Sequence, residues 1–159
     1  MSDAPDIWDL YPTEVQAMMG VFALHLQLEQ RLTETPTRGE LGKPECHLLI
    51  ILAEPRRMGE LAELAMKTPS AVTAAAAMLE KQGLIRRGRD PRDGRAWLLE
   101  LTEEGSARRC ELIEAASGIF YETSGLSREE AKILAGLAQK IHNKALQSGA
   151  VGPCEGDQI

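Results

Sequence analysis

Apolar and polar positions alternate along the chain with two different periods. From Thr13 to about Thr33 the period is helical, and two apolar tracks run along it. One track is Val15, Met19, Phe22 and Leu26; the other is Met18, Val21, Leu28 and Leu32, with His25 in line. One track suffices to dock a helix on its own domain, so two predict a second burial surface of the kind a partner subunit supplies. Thr35 to Lys43 reads as a loop, with Pro36, Gly39 and Gly42. Pro44 to Ala53 reads as a short apolar helix ended by Pro55, which disfavours helix in the residue before it. Gly59 to Ala65 predicts another short helix with Leu61, Leu64 and Ala65 inward. Thr68 suits an N-cap and Pro69 a first helical position, so a further helix runs to about Gln82 and stops at Gly83. Its inward face is Val72, Ala75, Ala76 and Leu79.

The period then changes to two. Leu84 to Arg89 and Arg95 to Leu101 read as strands, with Trp97, Leu99 and Leu101 alternating against Ala96, Leu98 and Glu100. DPRDG between them carries turn chemistry. Helical spacing returns from Thr102, a cap residue, to about Thr123, with Leu112, Ala115, Ala116, Ile119 and Phe120 on one face. Gly125 breaks it, and Ser127 to Glu130 forms a capping box for a last helix with an Ile133, Leu134, Leu137 and Ile141 stripe. Residues 148–159 show no periodicity and predict a flexible tail. The fold class is mainly α with a small β-hairpin. A short helix, a tight turn, a second helix and a basic hairpin make a winged helix-turn-helix, predicted over 44–101. Flanking helices at 7–34 and 103–147 complete a single domain over 1–159.

Composition narrows the reading. The chain has 159 residues, 43% hydrophobic and 26% charged, which suits one globular domain with a real core. Aromatics are 4%, too few for a single-strand stacking platform. The longest uncharged stretch, Val15 to Leu28, is too short to span a membrane. MSDAPD lacks the basic-then-apolar pattern of a secretory signal, and three widely spaced cysteines suggest no disulfide framework. A reduced, cytoplasmic protein with no membrane partner is expected. The net charge of −6 argues at first against nucleic acid. Its distribution argues the other way. Arg56 to Arg95 holds nine Lys/Arg and five Asp/Glu, a local +4, and leaves −10 elsewhere. RRGRDPRDGR alone carries five arginines and two aspartates.

Glu60 to Gly105 resembles the MarR family of bacterial transcription regulators. DPRDGR is similar to the family's D-x-R-D-x-R wing motif, with LEKQGLI before it, LTEEG after it and a Ser-x-x-Thr helix upstream. The resemblance implies a homodimer paired through the terminal helices, with Val15, Met18, Leu134, Leu137 and Ile141 in the interface. It implies double-stranded DNA as partner, with a near-palindromic operator whose half-sites lie about 34 Å apart. It also implies a small-molecule pocket between the dimer helices and the DNA-binding lobe. The expected function is a sequence-specific, homodimeric repressor released by a phenolic or carboxylate effector. A winged-helix protein-interaction module and a redox- or metal-responsive regulator of the same fold are the alternatives.

Arg92 is the first choice for the minor groove, which suits arginine by its narrow width and negative potential. Arg89 and Arg95 are expected near phosphate, and Asp90, Asp93 and Gly94 shape the wing, with Asp93 paired to Arg95. Ser70, Ala71, Thr73 and Ala74 are expected to face DNA, with Lys67 and Thr68 at the helix entrance. Family members often carry arginine where this chain has Ala74, so readout by hydrogen bonds to bases should be thin. Effector-pocket candidates are Tyr11, Phe22, His25, Cys46, His47 and Ile50. Cys46 sits in a first helical turn, where the dipole lowers a thiol pKa, though a buried inert thiol is the plainer role. His25, His47 and His142 form no close pair in sequence, so no metal and no cofactor are expected. No catalytic arrangement is visible either: Glu103-Glu104 and Glu129-Glu130 suit helix starts.

Overall fold

The computed structural model describes residues 7–36 and 39–147. The tail expected over 148–159, with Cys154, lies outside them. The chain opens with a 3₁₀ turn at Ile7–Leu10, tied to the first helix by Gln16, whose side-chain amide donates to the Trp8 and Tyr11 carbonyls, both at 2.8 Å. Six helices follow: α1 (Thr13–Glu34), α2 (Lys43–Ile51), α3 (Met58–Ala65), α4 (Pro69–Lys81), α5 (Glu103–Ser124) and α6 (Arg128–Gln147). Three strands complete the fold: β1 (Arg56–Arg57), β2 (Ile85–Asp90) and β3 (Asp93–Leu101). They form one antiparallel sheet in the order β1-β3-β2. None of the described helices is long and apolar enough to cross a membrane.

Local chemistry sets most boundaries. The Thr68 hydroxyl accepts from the Ala71 N–H and the Thr102 hydroxyl from the Gly105 N–H, each filling an orphan donor at a helix start. Ser127 and Glu130 exchange backbone-to-side-chain bonds at 2.8 and 3.2 Å, a reciprocal cap. Gly83 and Gly125 take left-handed φ values of 73° and 65° just past their helices. Between α3 and α4 the chain turns through Met66 at φ 52°, the one non-glycine in that region among the described residues.

Two expectations change. The hairpin is tighter than DPRDG suggests: β2 runs through Asp90 and β3 begins at Asp93, so Pro91 and Arg92 alone form the tip. Pro91 presets the turn's φ, and the Asp90 side chain accepts the Arg92 N–H at 2.8 Å, so Asp93 is free to pair with Asp90, and Gly94 to Ala96 bulge from β3 before the ladder resumes at Trp97. On α1, neither apolar track is buried in the chain; the half-buried residues are Val15, Gln16, Leu24 and Leu28. The helix meets α5 along a narrow line, and most of both tracks stays outside.

The core lies between α2 and the first half of α5. Leu49, Leu52, Leu61 and Leu79 are fully buried, each contributing about 1.5–3 kcal/mol by leaving water. Val72, Ala75, Ala76, Ile85, Leu99 and Leu112 join them, as does Leu41 from the loop before α2. Arg109 on α5 donates to the Ile50 carbonyl at 2.9 Å, closing the C-terminal end of α2. At the start of α5 the backbone presses on β2: the Leu84 carbonyl accepts the Thr102 N–H, and the Thr102 hydroxyl donates to Gly83. A Cβ on Gly105 would sit 1.8 Å from the Leu84 carbonyl oxygen, which explains the glycine of LTEEG.

Gly105→Ala should therefore destabilise by on the order of 1–3 kcal/mol. At roughly 2–4 °C per kcal/mol for a chain of this size, that is a clear fall in Tm by calorimetry. Gly59→Ala, where the Cβ meets open space, should leave Tm unchanged or raised.

Candidate nucleic-acid interface

Helix α4 divides cleanly. Val72, Ala75, Ala76 and Leu79 are buried, while Ser70, Ala71, Thr73 and Ala74 are exposed, continued by Ala77 and Met78. Lys67 is exposed and Thr68 half-buried at its entrance. The Thr73 hydroxyl donates to the Pro69 carbonyl at 2.8 Å, so toward solvent it offers a methyl and an acceptor oxygen. Ser70 and Thr68 hydroxyls lie 3.1 Å apart. The exposed face is thus small, with few donors.

The wing is organised by Asp90, which is 7% exposed. One carboxylate oxygen receives Arg57 Nε at 3.0 Å and Nη2 at 2.6 Å; the other receives the Arg92 N–H. The Arg57 hydrogen bond, with the Arg92 backbone bond adding to it, holds the Asp90 pKa below the usual carboxylate value. Asp93 faces Arg57 at 3.5 Å and accepts the Arg95 backbone N–H at 3.2 Å. Asp93 and Arg95 do meet, but through the arginine's backbone rather than its guanidinium. Sequence reasoning missed Arg57 altogether; the one signal was two wing carboxylates with a single arginine assigned between them.

The five arginines of RRGRDPRDGR have different fates. Arg86 pairs with Glu100 at 2.9 Å and Arg87 with Glu80 of α4 at 3.2 Å. Arg89 donates to the Gly94 carbonyl at 3.0 Å and stacks on Trp97, its Cζ 4.0 Å from the ring centroid. The side chains of Arg92 and Arg95 are exposed and paired with nothing among the described residues.

A cavity of about 290 Å³ opens between α1, α2 and α5. Cys46, His47 and Ile50 line it, as do Leu32, Leu112, Ala115 and Ala116, with Glu29 and Lys43 joined at 2.8 Å at its edge. Tyr11, Phe22 and His25 do not line it; all three are exposed nearer the start of the chain, and the α1 residues that reach the cavity are Glu29, Leu32 and Thr33. Desolvation of the ring, with the Lys67 charge adding to it, holds the His47 pKa below the ordinary histidine value.

The terminal helices are bare. Neither α1 nor α6 buries a residue within the described chain. Met18 is 70% exposed, Ile141 67% and Leu137 56%; Val15 and Leu134 are half-buried. Exposed apolar side chains of this number on two helices mark an interaction surface.

The sequence model of the MarR family matches residues 42–97. Transcriptional regulator HosA of Escherichia coli O111:H- is 30% identical over 107 residues, covering 65% of this chain and 79% of HosA. Transcriptional regulator BldR of Sulfolobus solfataricus superposes with a TM-score of 0.66 at 27% identity, over 82% of this chain and 96% of BldR. BpsR of Bordetella bronchiseptica, whose DNA binding is regulated by 6-hydroxynicotinic acid, shares the fold, with a TM-score of 0.64 at 19% identity over 82% of this chain and 96% of BpsR.

Asp90 is more easily ionised folded than unfolded, so its contribution to stability is full above the unfolded carboxylate pKa of about 3.9. It is lost as pH falls through the lower folded value. Arg57→Ala should move the Asp90 pKa up toward the ordinary value in a carboxyl NMR titration and speed exchange of the Arg92 amide. A titration that stays where it was would remove Arg57 from the wing's support.

Proposed function

From the premise that the chain belongs to the MarR family of transcriptional regulators, we propose that it is a homodimeric repressor. It binds a near-palindromic double-stranded operator and leaves it when a small effector binds. Residues 44–101 form the DNA-binding lobe, and 7–34 and 103–147 the dimerisation helices. The observation that carries this reading is the state of the wing. Arg86 and Arg87 are neutralised by carboxylates, whereas Arg92 at the tip and Arg95 at the start of β3 carry unpaired charge.

On this reading Arg92 enters the minor groove, where narrow A·T tracts concentrate negative potential. Arg95 and Arg89 meet phosphate. Ser70, Ala71, Thr73 and Ala74 face the major groove and supply methyl contacts and few hydrogen bonds, so wing and backbone contacts carry much of the affinity. The apolar tracks of α1 and α6, with Val15, Met18, Leu134, Leu137 and Ile141, close against a second copy. The cavity lined by Cys46, His47 and Ile50 takes a small phenol or aromatic carboxylate: its walls are apolar, and the His47 ring among them is a donor for the effector's oxygen. BpsR supplies the parallel of a shared fold whose DNA binding answers to a small aromatic acid.

Binding sites selected from a genomic library and footprinted give the operator. On that site, Arg92→Ala should weaken binding at least several-fold in a salt-controlled gel shift, with Tm unchanged; equal affinity sinks the assignment. The same assay with phenols and aromatic carboxylates scores the effector. Leu137→Glu with Ile141→Glu should convert a dimer to a monomer in sedimentation, because each change places a charge in an apolar contact. Sedimentation as an unchanged dimer would move the interface elsewhere.

A further inference from the structure

The wing carries an exposed tryptophan that the contacts above do not use. Trp97 lies on β3 with 49% of its surface exposed, directly opposite Arg89 in the ladder. Paired residues of an antiparallel ladder share a face, and so does every second residue along each strand. Leu99 and Arg87, the next pair inward, therefore share the face of Trp97 and Arg89. Leu99 is in the core and Arg87 reaches Glu80 of α4. The Trp97–Arg89 pair thus sits on the sheet face that carries α4, one step beyond the last buried residue.

Arg89 differs from the other wing arginines in one respect. Arg86 and Arg87 are held in place, but by carboxylates that cancel their charge. Arg92 and Arg95 keep their charge, but nothing fixes their side chains. Arg89 is fixed at two points, the Trp97 ring and the Gly94 carbonyl, and neither cancels its charge. A guanidinium carries five N–H donors around its edge, and stacking occupies its face. Most of that edge is left for an anion. An arginine already held in one place also loses less freedom on binding than a free one.

We propose that Trp97 is a positioning residue that holds Arg89 as a preset clamp for a phosphodiester oxygen of duplex DNA. This rests on the duplex-binding reading above. Loss of the ring lets Arg89 swing away, and its charge remains while its geometry does not.

Because a phosphate contact does not depend on sequence, a labelled random-sequence duplex of about 30 base pairs, enough to span two half-sites a turn apart, is the probe. Anisotropy titrations of the full chain over a salt series compare wild type with Trp97→Leu, Trp97→Phe, Arg89→Ala and the double variant Trp97→Leu/Arg89→Ala. Trp97→Leu keeps apolar bulk without the π-face and should weaken binding about threefold to tenfold, with Tm near wild type because the side chain is half exposed. Trp97→Phe should recover part of the loss. Arg89→Ala should lower the salt slope by about one. The double variant should bind no worse than Arg89→Ala alone. Losses that multiply, or a Trp97→Leu variant that binds like wild type, would overturn the clamp. A second readout needs no DNA: in a Trp8→Phe background, Arg89→Ala should change the Trp97 emission. An unchanged emission overturns the stacking itself. Wild type that binds no duplex even at low salt, with an emission that does respond, overturns the duplex-binding reading and the clamp with it.

Discussion

The Asp90 carboxylate is shared between two parts of the chain. Arg57, just before α3, occupies one oxygen with two N–H groups, and the Arg92 backbone occupies the other. A two-residue hairpin tip has little to hold it, since isolated hairpins are marginal in water. Here the tip is bound through Asp90 to β1, and β1 is itself the third strand of the sheet. The direction of the Arg92 side chain, and with it the proposed minor-groove contact, depends on that anchor. Because β1 follows α2 after a short link, the anchor also joins the wing to the helix that forms one wall of the cavity.

Charge is distributed with the same economy. A net −6 conceals a +4 segment; Arg57 and Arg87 pair with carboxylates already counted in that sum, while Arg56 and Arg86 pair with Glu54 and Glu100 outside it, which lowers the excess further. Arg57, Arg86 and Arg87 all face carboxylates. The cationic surface left at the wing is a few arginines on a protein that is otherwise acidic. On the proposed reading this gives a moderate salt slope and weak attraction to DNA in general, so a small rearrangement suffices for release.

The core and the interaction surface occupy different parts of the chain. Buried residues run from Leu41 to Leu112, while α1 and α6 hold apolar side chains with no cover. Arg31 on α1 reaches Glu122 on α5 at 3.0 Å, but an exposed pair of this kind contributes little. Within the chain, α1 is otherwise held by its narrow line of contact with α5.

Helix starts and stops were legible because their causes are local. Thr68, Pro69, Thr102, Ser127, Gly83 and Gly125 act within a turn of their own position. The inward face of α4 was legible because burial follows period, and the wing because its motif is contiguous. β1 was not, since two arginines carry no period and become a strand only where β3 offers a ladder. Nor was the hairpin tip, where Asp-Gly competes with Asp-Pro for the turn and the Asp90 contacts decide. The Arg57–Asp90, Arg109–Ile50 and Arg89–Trp97 contacts are matters of which side chains meet in space. The same holds for the cavity, whose α1 wall is Glu29, Leu32 and Thr33 rather than the residues nearer the start of the helix. Sequence alone determined the six helices, their caps and the basic hairpin that makes the wing. Only the tertiary structure decided which charges are spent on partners and which remain available, because ion pairing depends on distances that neighbours in sequence do not set.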